Sequence, residues 1–124
     1  MAITKPSWSA EQTGLNAAVP AGTSSDTDID LDTNGWDAVV GVIDVALSSA
    51  TSVTVEIYRS TDGGTTFSDE QSLAGGFTIN ASGEYPLPDI LIESFVRLRV
   101  INNDGSNATG TITVTYQGRQ WDTQ

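Results

Sequence analysis

The chain has 124 residues and carries 16 acidic against 5 basic side chains, a formal net charge of −11. It contains neither cysteine nor histidine, which excludes disulfides, thiolate metal sites and Ser-His or Cys-His nucleophiles. This length suits a single domain. We therefore expect a protein that is not an enzyme and uses no cofactor. The negative charge disfavours nucleic acid and anionic membrane surfaces as partners.

The pattern of apolar residues divides the chain into two parts. Residues 1–22 are the least regular and are predicted to form an extended N-terminal arm, and residues 23–124 a β-sandwich domain. The stretch TDIDLD alternates strictly, which predicts a strand with Thr27, Ile29 and Leu31 facing a core.

The middle and end of the chain read as further strands. WDAVVGVIDVAL is apolar on both faces, so either it is covered twice or one face, with Val40 and Val42, meets a partner. SVTVEIYRS and TTFSDEQSL read as a hairpin, and GEYPLPD as an edge strand. With GGFTIN, SFVRLRVIN and TITVTYQG, the count reaches about eight short strands. The sequence predicts an all-β fold, a single antiparallel sandwich of the jelly-roll or Ig-like type.

The stretch RSTDGGTTF matches the pattern S-x-D-x-G-x-T-F, the Asp box of sialidase propellers and other β-proteins. A short chain with one such box has too few strands for a propeller. Asp62 can accept bonds from the backbone N–H groups that follow it, and the two glycines accept positive φ. We expect a structural turn whose aromatic residue anchors it to the core. Its residues are Ser60, Asp62, Gly63, Gly64, Thr66 and Phe67.

The stretch DTDIDLDTNG raises the possibility of calcium. Asp30, Asp32, Asn34 and Gly35 match the opening of a calcium loop, but Gly41 stands where the bidentate glutamate is required. We favour a solvated acidic face, predict no metal, and leave a weak calcium site as the alternative.

Two of the few basic residues, Arg97 and Arg99, are predicted to share one face of one strand. One interpretation is exposed cross-strand pairing with acidic neighbours. The other is a subunit interface, in which this arginine pair and Phe95 meet Asp28 and Asp30 of the next subunit. The sequence leaves both open.

Two tryptophans lie near the ends of the chain, where nothing in the local pattern buries them. Trp8 and Trp121 are therefore interpreted as docking anchors, and Lys5 adds a positive charge beside Trp8. We predict that these three residues bind a protein lattice. The alternative is a sugar-stacking platform.

The order of motifs resembles small β-sandwich virion proteins of tailed bacteriophages. GWDAVVGVIDVALSSATSVTVEIYRSTDGGTTFSD, then GEYPLP, then FVRLRVINNDGSNATGTITVTYQGRQ carry the likeness over residues 35–119. In these proteins a strand ending in S-x-D-G-G precedes an aromatic residue. In its small size, its acidity and its lack of Cys and His, the chain is similar to head decoration (cement) proteins.

That resemblance implies a function. We expect a virion structural protein, made in the host cytoplasm, that binds the major capsid protein on the outer head surface as a homotrimer and stabilises the shell. A tail or neck component and a glycan-binding β-sandwich module are the alternatives.

Overall fold

A computed structural model of the chain describes residues 4–68, 76–91 and 94–123. Within these ranges the regular secondary structure consists almost entirely of strands. The single helix among them has four residues and is too short to cross a membrane. In chain order the elements are β1 (Thr4–Trp8), β2 (Gln12–Ala18), β3 (Ser24–Asp30), α1 (Leu31–Asn34), β4 (Ala38–Val45), β5 (Val53–Ser60), β6 (Phe77–Ile79), β7 (Gly83–Pro86), β8 (Ile90–Leu91), β9 (Phe95–Asn102) and β10 (Thr111–Thr123).

The strands form two antiparallel sheets. In sheet A, β10 pairs with β1 and β2 on one side and with β4 on the other, and β7 and β8 pair with the far side of β4. In sheet B the order is β3-β9-β5-β6. β1 and β2 together occupy one strand position in sheet A, and so do β7 and β8. When the resulting eight strand positions are numbered in chain order, sheet A has the order 1-8-3-6 and sheet B the order 2-7-4-5. This is the strand order of a jelly roll, so the predicted all-β sandwich is confirmed and takes the jelly-roll form.

Strand alternation determines which residues enter the core. Along β9 buried and half-buried residues alternate without a break, and β5 follows the same rule over most of its length. Thr27 and Ile29, predicted inward residues of β3, are buried, because alternate side chains point between the sheets. Leu31, predicted to continue that strand, is buried as the first residue of α1. The core is aliphatic; its fully buried side chains of largest volume are Leu31, Ile43, Leu98 and Ile112.

The segment expected as an N-terminal arm is extended, and its described part belongs to sheet A. Trp8 lies opposite Arg119 and Gln12 opposite Tyr116, so β1 and β2 follow β10 one after the other. Ser9 N donates to Gly118 O at 2.8 Å between the two strands. Residues 4–18 therefore form one interrupted edge strand. From Pro6 to Ala18 most of its residues are exposed and none is fully buried, which explains the missing alternation.

The hairpin partner of β5 differs from the prediction. β6 pairs with β5 through Val53 opposite Ile79, whereas residues 61–68 form a turn and its continuation. Residues 69–73, the rest of the predicted strand, lie outside the described ranges.

The end of β3 turns into a short helix. Asp30 caps α1, since its carboxylate accepts a bond from Thr33 N at 2.9 Å, and Gly35 ends it with φ of +70°. The backbone N–H of Thr33 lowers the pKa of Asp30. The D-x-D-x-N-G pattern is thus explained by capping chemistry.

Candidate protein-interaction surfaces

The Asp-box turn is a closed network of hydrogen bonds. Asp62 accepts from Thr66 N at 2.9 Å and from Thr66 Oγ1 at 2.6 Å, and Ser60 Oγ donates to it at 2.7 Å. Ser60 Oγ in turn accepts from Gly64 N at 2.9 Å. These donors, above all the hydroxyl of Thr66, hold the pKa of Asp62 well below its ordinary value. The carboxylate of Asp62 therefore stabilises the turn.

The aromatic residue of this turn does not reach the core. Phe67 is half-buried and packs on Phe95, with ring centroids 5.8 Å apart, on the outer face of sheet B. The expectation that Phe67 anchors the turn to the core is therefore corrected: it folds the turn over the outside of the sandwich. Gly64 is required there because its φ is +93° and a Cβ would stand 2.7 Å from the Phe95 ring.

An arginine face, consisting of Asp26, Asp28, Glu56, Tyr58, Arg97 and Arg99, occupies the outer side of sheet B beside this turn. Strand register places these residues in two rows across β3, β9 and β5. One row is Asp28, Arg97 and Tyr58, and the other is Asp26, Arg99 and Glu56. Directly opposed residues of antiparallel strands lie close enough to interact.

Both arginines are paired within the chain. Arg97 donates to Asp28 through Nε at 2.7 Å and Nη2 at 3.0 Å, and Arg99 makes the equivalent pair with Asp26 at 2.9 and 3.3 Å. The hydrogen bonds to these carboxylates raise the pKa of both arginines. The cross-strand pairing predicted as one of two alternatives is what the fold contains.

These intrachain pairs bear on the alternative of a subunit interface. Each guanidinium group has a carboxylate of its own chain within hydrogen-bond distance, and Asp30, expected in that interface, caps α1 at the end of β3. An interface on this face stays a prediction, in which a partner would meet arginines that are already neutralised.

The arginine face is shaped as well as charged. Cζ of Arg97 lies 3.9 Å from the centroid of the Phe67 ring, and that of Arg99 lies 5.3 Å from the Tyr58 ring. A shallow concavity of about 200 Å³ opens between these side chains and Ser68. Stacking on rings and pairing with carboxylates hold the guanidinium planes in place.

A second candidate surface is the tryptophan edge, which we define as Pro6, Trp8, Asp37 and Arg119 at the β1–β10 end of sheet A. Trp8 is 47% exposed, and among the residues whose burial is described it is the one exposed large hydrophobic residue. Arg119 lies opposite Trp8, with Cζ 5.9 Å from the ring centroid, and its Nε donates to Asp37 at 3.1 Å.

The other two residues predicted to bind a lattice belong to the same region by register. Trp121 stands opposite Pro6 and Lys5 opposite Asp122. The side chains of Lys5 and Trp121 lie outside the described part of the chain, so their role stays a prediction. Sequence reasoning did not find Arg119 and Asp37, because they join Trp8 only through the pairing of the two chain ends.

The second apolar face of β4 forms a third surface. Val40 and Val42 are half-buried on the outside of sheet A, beside Thr115 and Gln117 of β10, where they line a depression of about 150 Å³. This face is uncharged at its centre, with Glu11 at its border.

No metal cluster is present among the described residues: no group of three or more acidic side chains is placed to hold an ion. On β3, Asp26 and Asp28 are engaged by arginines and Asp30 by the helix N-terminus. That this acidic row binds no metal stays a prediction.

Comparison with known proteins gives a likeness of fold. No protein-family model matches the sequence, and no curated protein matches it. Among solved structures, the chain is similar to the SPBc2 prophage-derived protein YomS, with a TM-score of 0.59 and 19% identity over 95% of this chain and 97% of that one.

Two further structures share the architecture. The chain is similar to the PBSX exported protein XepA, with a TM-score of 0.65 and 15% identity, covering 90% of this chain but 37% of XepA. It is also similar to a chain of the cowpea mosaic virus top component, an empty particle, with a TM-score of 0.52 and 9% identity over 94% and 87% of the two chains. At these identities the likeness defines the class of protein, a jelly-roll β-sandwich.

Proposed function

We propose that this protein is a non-enzymatic structural protein of a phage particle, and in particular a decoration (cement) protein that binds the outer head surface as a homotrimer. The observation that carries the proposal is the fold shared with a prophage-derived protein over nearly the whole length of both chains. The similarity to a chain of a plant virus particle adds support, since jelly rolls are common in viral shells. The expected partner is the major capsid protein.

The chemistry of the described residues supports a role without catalysis. A carboxyl group that acts as a general acid near neutral pH has a raised pKa. The carboxyl groups with a resolved shift, those of Asp30, Asp62 and Asp104, all have a lowered pKa, and hydrogen bonds to turns or a helix end are the main cause. These groups serve the fold.

Binding to a lattice explains how such a protein stabilises a shell. The tryptophan edge offers an apolar anchor with a guanidinium beside it, which is the residue chemistry of strong protein contacts. Three such edges in a trimer would bind together, so modest single contacts give high occupancy. A protein that binds the expanded shell in preference to other states stabilises it by mass action.

The test uses particles of the phage that encodes the chain. Quantitative mass spectrometry should find the chain in a fixed ratio to the major capsid protein, and cryo-electron microscopy should place it outside the head. Particles lacking the chain should release DNA at a lower temperature. Absence of the chain from purified particles would refute the whole proposal, and density at the tail would refute the decoration part.

The oligomer has its own measurement. Light scattering coupled to size exclusion should give three times the chain mass of 13.0 kDa. A mass of one chain, with trimeric density on the head, would mean that the trimer assembles only on the lattice. One-chain mass without such density contradicts the trimer.

A further inference from the structure

The N-terminal edge strand, residues 4–18, has no fully buried side chain from Pro6 to Ala18. Six of the seven residues of β2 are exposed, and Leu15, which is half-buried, packs against the core. The strand is held instead by backbone pairing with β10, from Thr4 opposite Thr123 to Ala18 opposite Thr111. Backbone bonds of an edge strand exchange readily with other partners, because they carry little sequence information.

The chain is clamped firmly where this strand ends. Val19 is fully buried; its N–H donates to Thr109 Oγ1 at 2.9 Å, and its carbonyl accepts from Thr109 N and from Asn102 Nδ2, both at 3.1 Å. The Asn102 side chain is itself buried. Residues 4–18 can therefore leave β10 while Val19 and the rest of the sandwich stay in place.

In its second half, residues 12–18, charge favours another copy of the chain as the partner of this segment; its charged residues, Lys5 and Glu11, lie in the first half. Copies with a net charge of −11 repel each other over most of their surface, yet residues 12–25 contain no charged side chain. The same residues meet β10 at Thr111, Ile112 and Thr113, which are also uncharged. Contact between copies through this segment avoids the repulsion that opposes it elsewhere.

From these three observations we infer that residues 4–18 are an exchangeable strand, which pairs with β10 of a second copy when copies associate. The exchanged form keeps every native contact, including the bond from Leu15 N to Thr27 Oγ1 at 3.1 Å, and changes the chain direction only near Ala18. Exchange of an identical element is a low-cost route to oligomers for that reason. The segment, at about 3.3 Å per residue, extends roughly 50 Å and reaches a neighbour easily.

The absence of cysteine allows a clean test by cross-linking. Asn16 and Thr113 are opposed, with Thr113 Oγ1 3.3 Å from Asn16 Oδ1, and Cα atoms of such pairs lie at disulfide distance. The full chain carrying Asn16→Cys and Thr113→Cys is prepared in labelled and unlabelled form, mixed at high concentration, and oxidised. Mass spectrometry then counts disulfides that join a labelled to an unlabelled strand. We call these disulfides hybrid. If exchange is complete and the two forms are mixed in equal amounts, about half of all disulfides are hybrid, because copies mix at random.

A matched control separates exchange from random oxidation. Thr54 and Thr78 are opposed on β5 and β6 of sheet B, with their hydroxyls 3.2 Å apart, and neither belongs to the N-terminal edge strand of sheet A. Thr54→Cys with Thr78→Cys should give intrachain disulfides alone. Hybrid disulfides at Asn16/Thr113 but not in the control support exchange; their absence from concentrated protein and from any oligomer overturns it.

Two provisions keep the test decisive. If the Asn16/Thr113 variant does not fold, Thr13→Cys with Thr115→Cys probes the same pairing at another register position. The readout needs no phage particle, so it is independent of the proposed function. Hybrid disulfides in a protein that is absent from particles would refute the proposed function but support strand exchange. A protein that is present in particles but forms no hybrid disulfides would support the proposed function and refute the exchange.

Discussion

The indole ring of Trp36 lies directly on Gly118, so closely that a Cβ at position 118 would stand 1.8 Å from Cδ2 of the ring. Trp36 also meets Tyr116 edge-to-face, with ring centroids 6.3 Å apart and planes at 74°. The ring therefore joins the corner after α1 to the middle of β10. Gly118 in turn is bonded to Ser9, where β1 and β2 meet. One glycine thus links the core to the N-terminal edge strand.

The first prediction follows from that contact. Gly118→Ala forces the indole ring or β10 to move, and we expect a loss of about 1–3 kcal/mol in the free energy of unfolding, as in overpacked cores. Denaturant unfolding followed by tryptophan fluorescence measures it. Gly105→Ala is the control, because a Cβ there meets nothing within 4 Å. Equal stability of the two variants would contradict the packing described.

The second prediction concerns the pH dependence of the Asp-box turn. The pKa of Asp62 is lower in the folded chain than its ordinary value of 3.8, so its carboxylate stabilises the fold above that pH. Asp62→Asn should therefore lower the free energy of unfolding at neutral pH. The difference from the wild type should shrink as the pH falls below about 3.8, where the unfolded chain takes up a proton and the folded chain does not.

Urea unfolding of both proteins from pH 2.5 to pH 7 tests this sign. Asp44→Asn, at an exposed position of β4, controls for the change in net charge. A difference that stays constant down to the lowest pH would show that the charge of Asp62 does not support the turn.

The third prediction measures the arginine face. Arg97 and Asp28 form a partly exposed pair, with 26% and 40% of their side-chain areas accessible, so solvent screens their attraction. A double-mutant cycle of Arg97→Ala and Asp28→Ala should give a coupling of about 0.2–1 kcal/mol that decreases in high salt. Arg97→Ala alone should cost more than Asp28→Ala, because the guanidinium also covers the Phe67 ring.

Arg97→Ala combined with Asp44→Ala, on the other sheet, should show no coupling. A salt-independent coupling well above 1 kcal/mol would mean that the pair is buried in solution, and an interface over this face would then be the explanation.

The fourth prediction concerns the side-chain amide of Asn102, a residue that is only 2% exposed. It donates to the carbonyls of Val19 and Asn107 and accepts from Asp104 N at 2.9 Å. Asn102→Ala removes the partners of Asn107 O and Asp104 N, whereas the Val19 carbonyl keeps its bond from Thr109 N. We expect a loss of about 1–3 kcal/mol per group left unsatisfied. Asn80→Ala, at an exposed position, is the control in thermal unfolding. A loss no greater than that of the control would contradict the clamp.

Strand alternation made much of this fold predictable. The buried faces of β5 and β9 could be located because every second residue is aliphatic, and those of β3 and β10 because apolar or threonine residues alternate with polar ones. Pro86 correctly marked an edge strand. The N-terminal edge strand was missed as a strand, since Leu15 is its half-buried apolar anchor and the rest of β2 carries no burial signal.

Contacts between distant residues set the limit of sequence reasoning. The aromatic residue of the Asp-box turn was placed in the core because the motif gives no sign of which way the turn folds; Phe95, which receives Phe67, is 28 positions away. The pairing of Arg97 with Asp28 could be proposed but not chosen over an interface, because the choice depends on β3 lying beside β9.

The last prediction tests the tryptophan edge. The side chain of Trp8 is 47% exposed and outside the aliphatic core, so Trp8→Ala should leave the free energy of unfolding nearly unchanged. If Trp8 anchors the protein to a head lattice, the same change should weaken binding to particles stripped of the protein by about 2 kcal/mol or more, roughly thirtyfold.

Trp8→Phe, which keeps an aromatic ring, should recover part of that loss. Thr78→Ala, exposed on β6 of the other sheet, should bind like the wild type. Unchanged occupancy for Trp8→Ala would remove this edge from the binding surface and direct attention to the arginine face, whereas a variant that unfolds would show that the ring supports β10 instead.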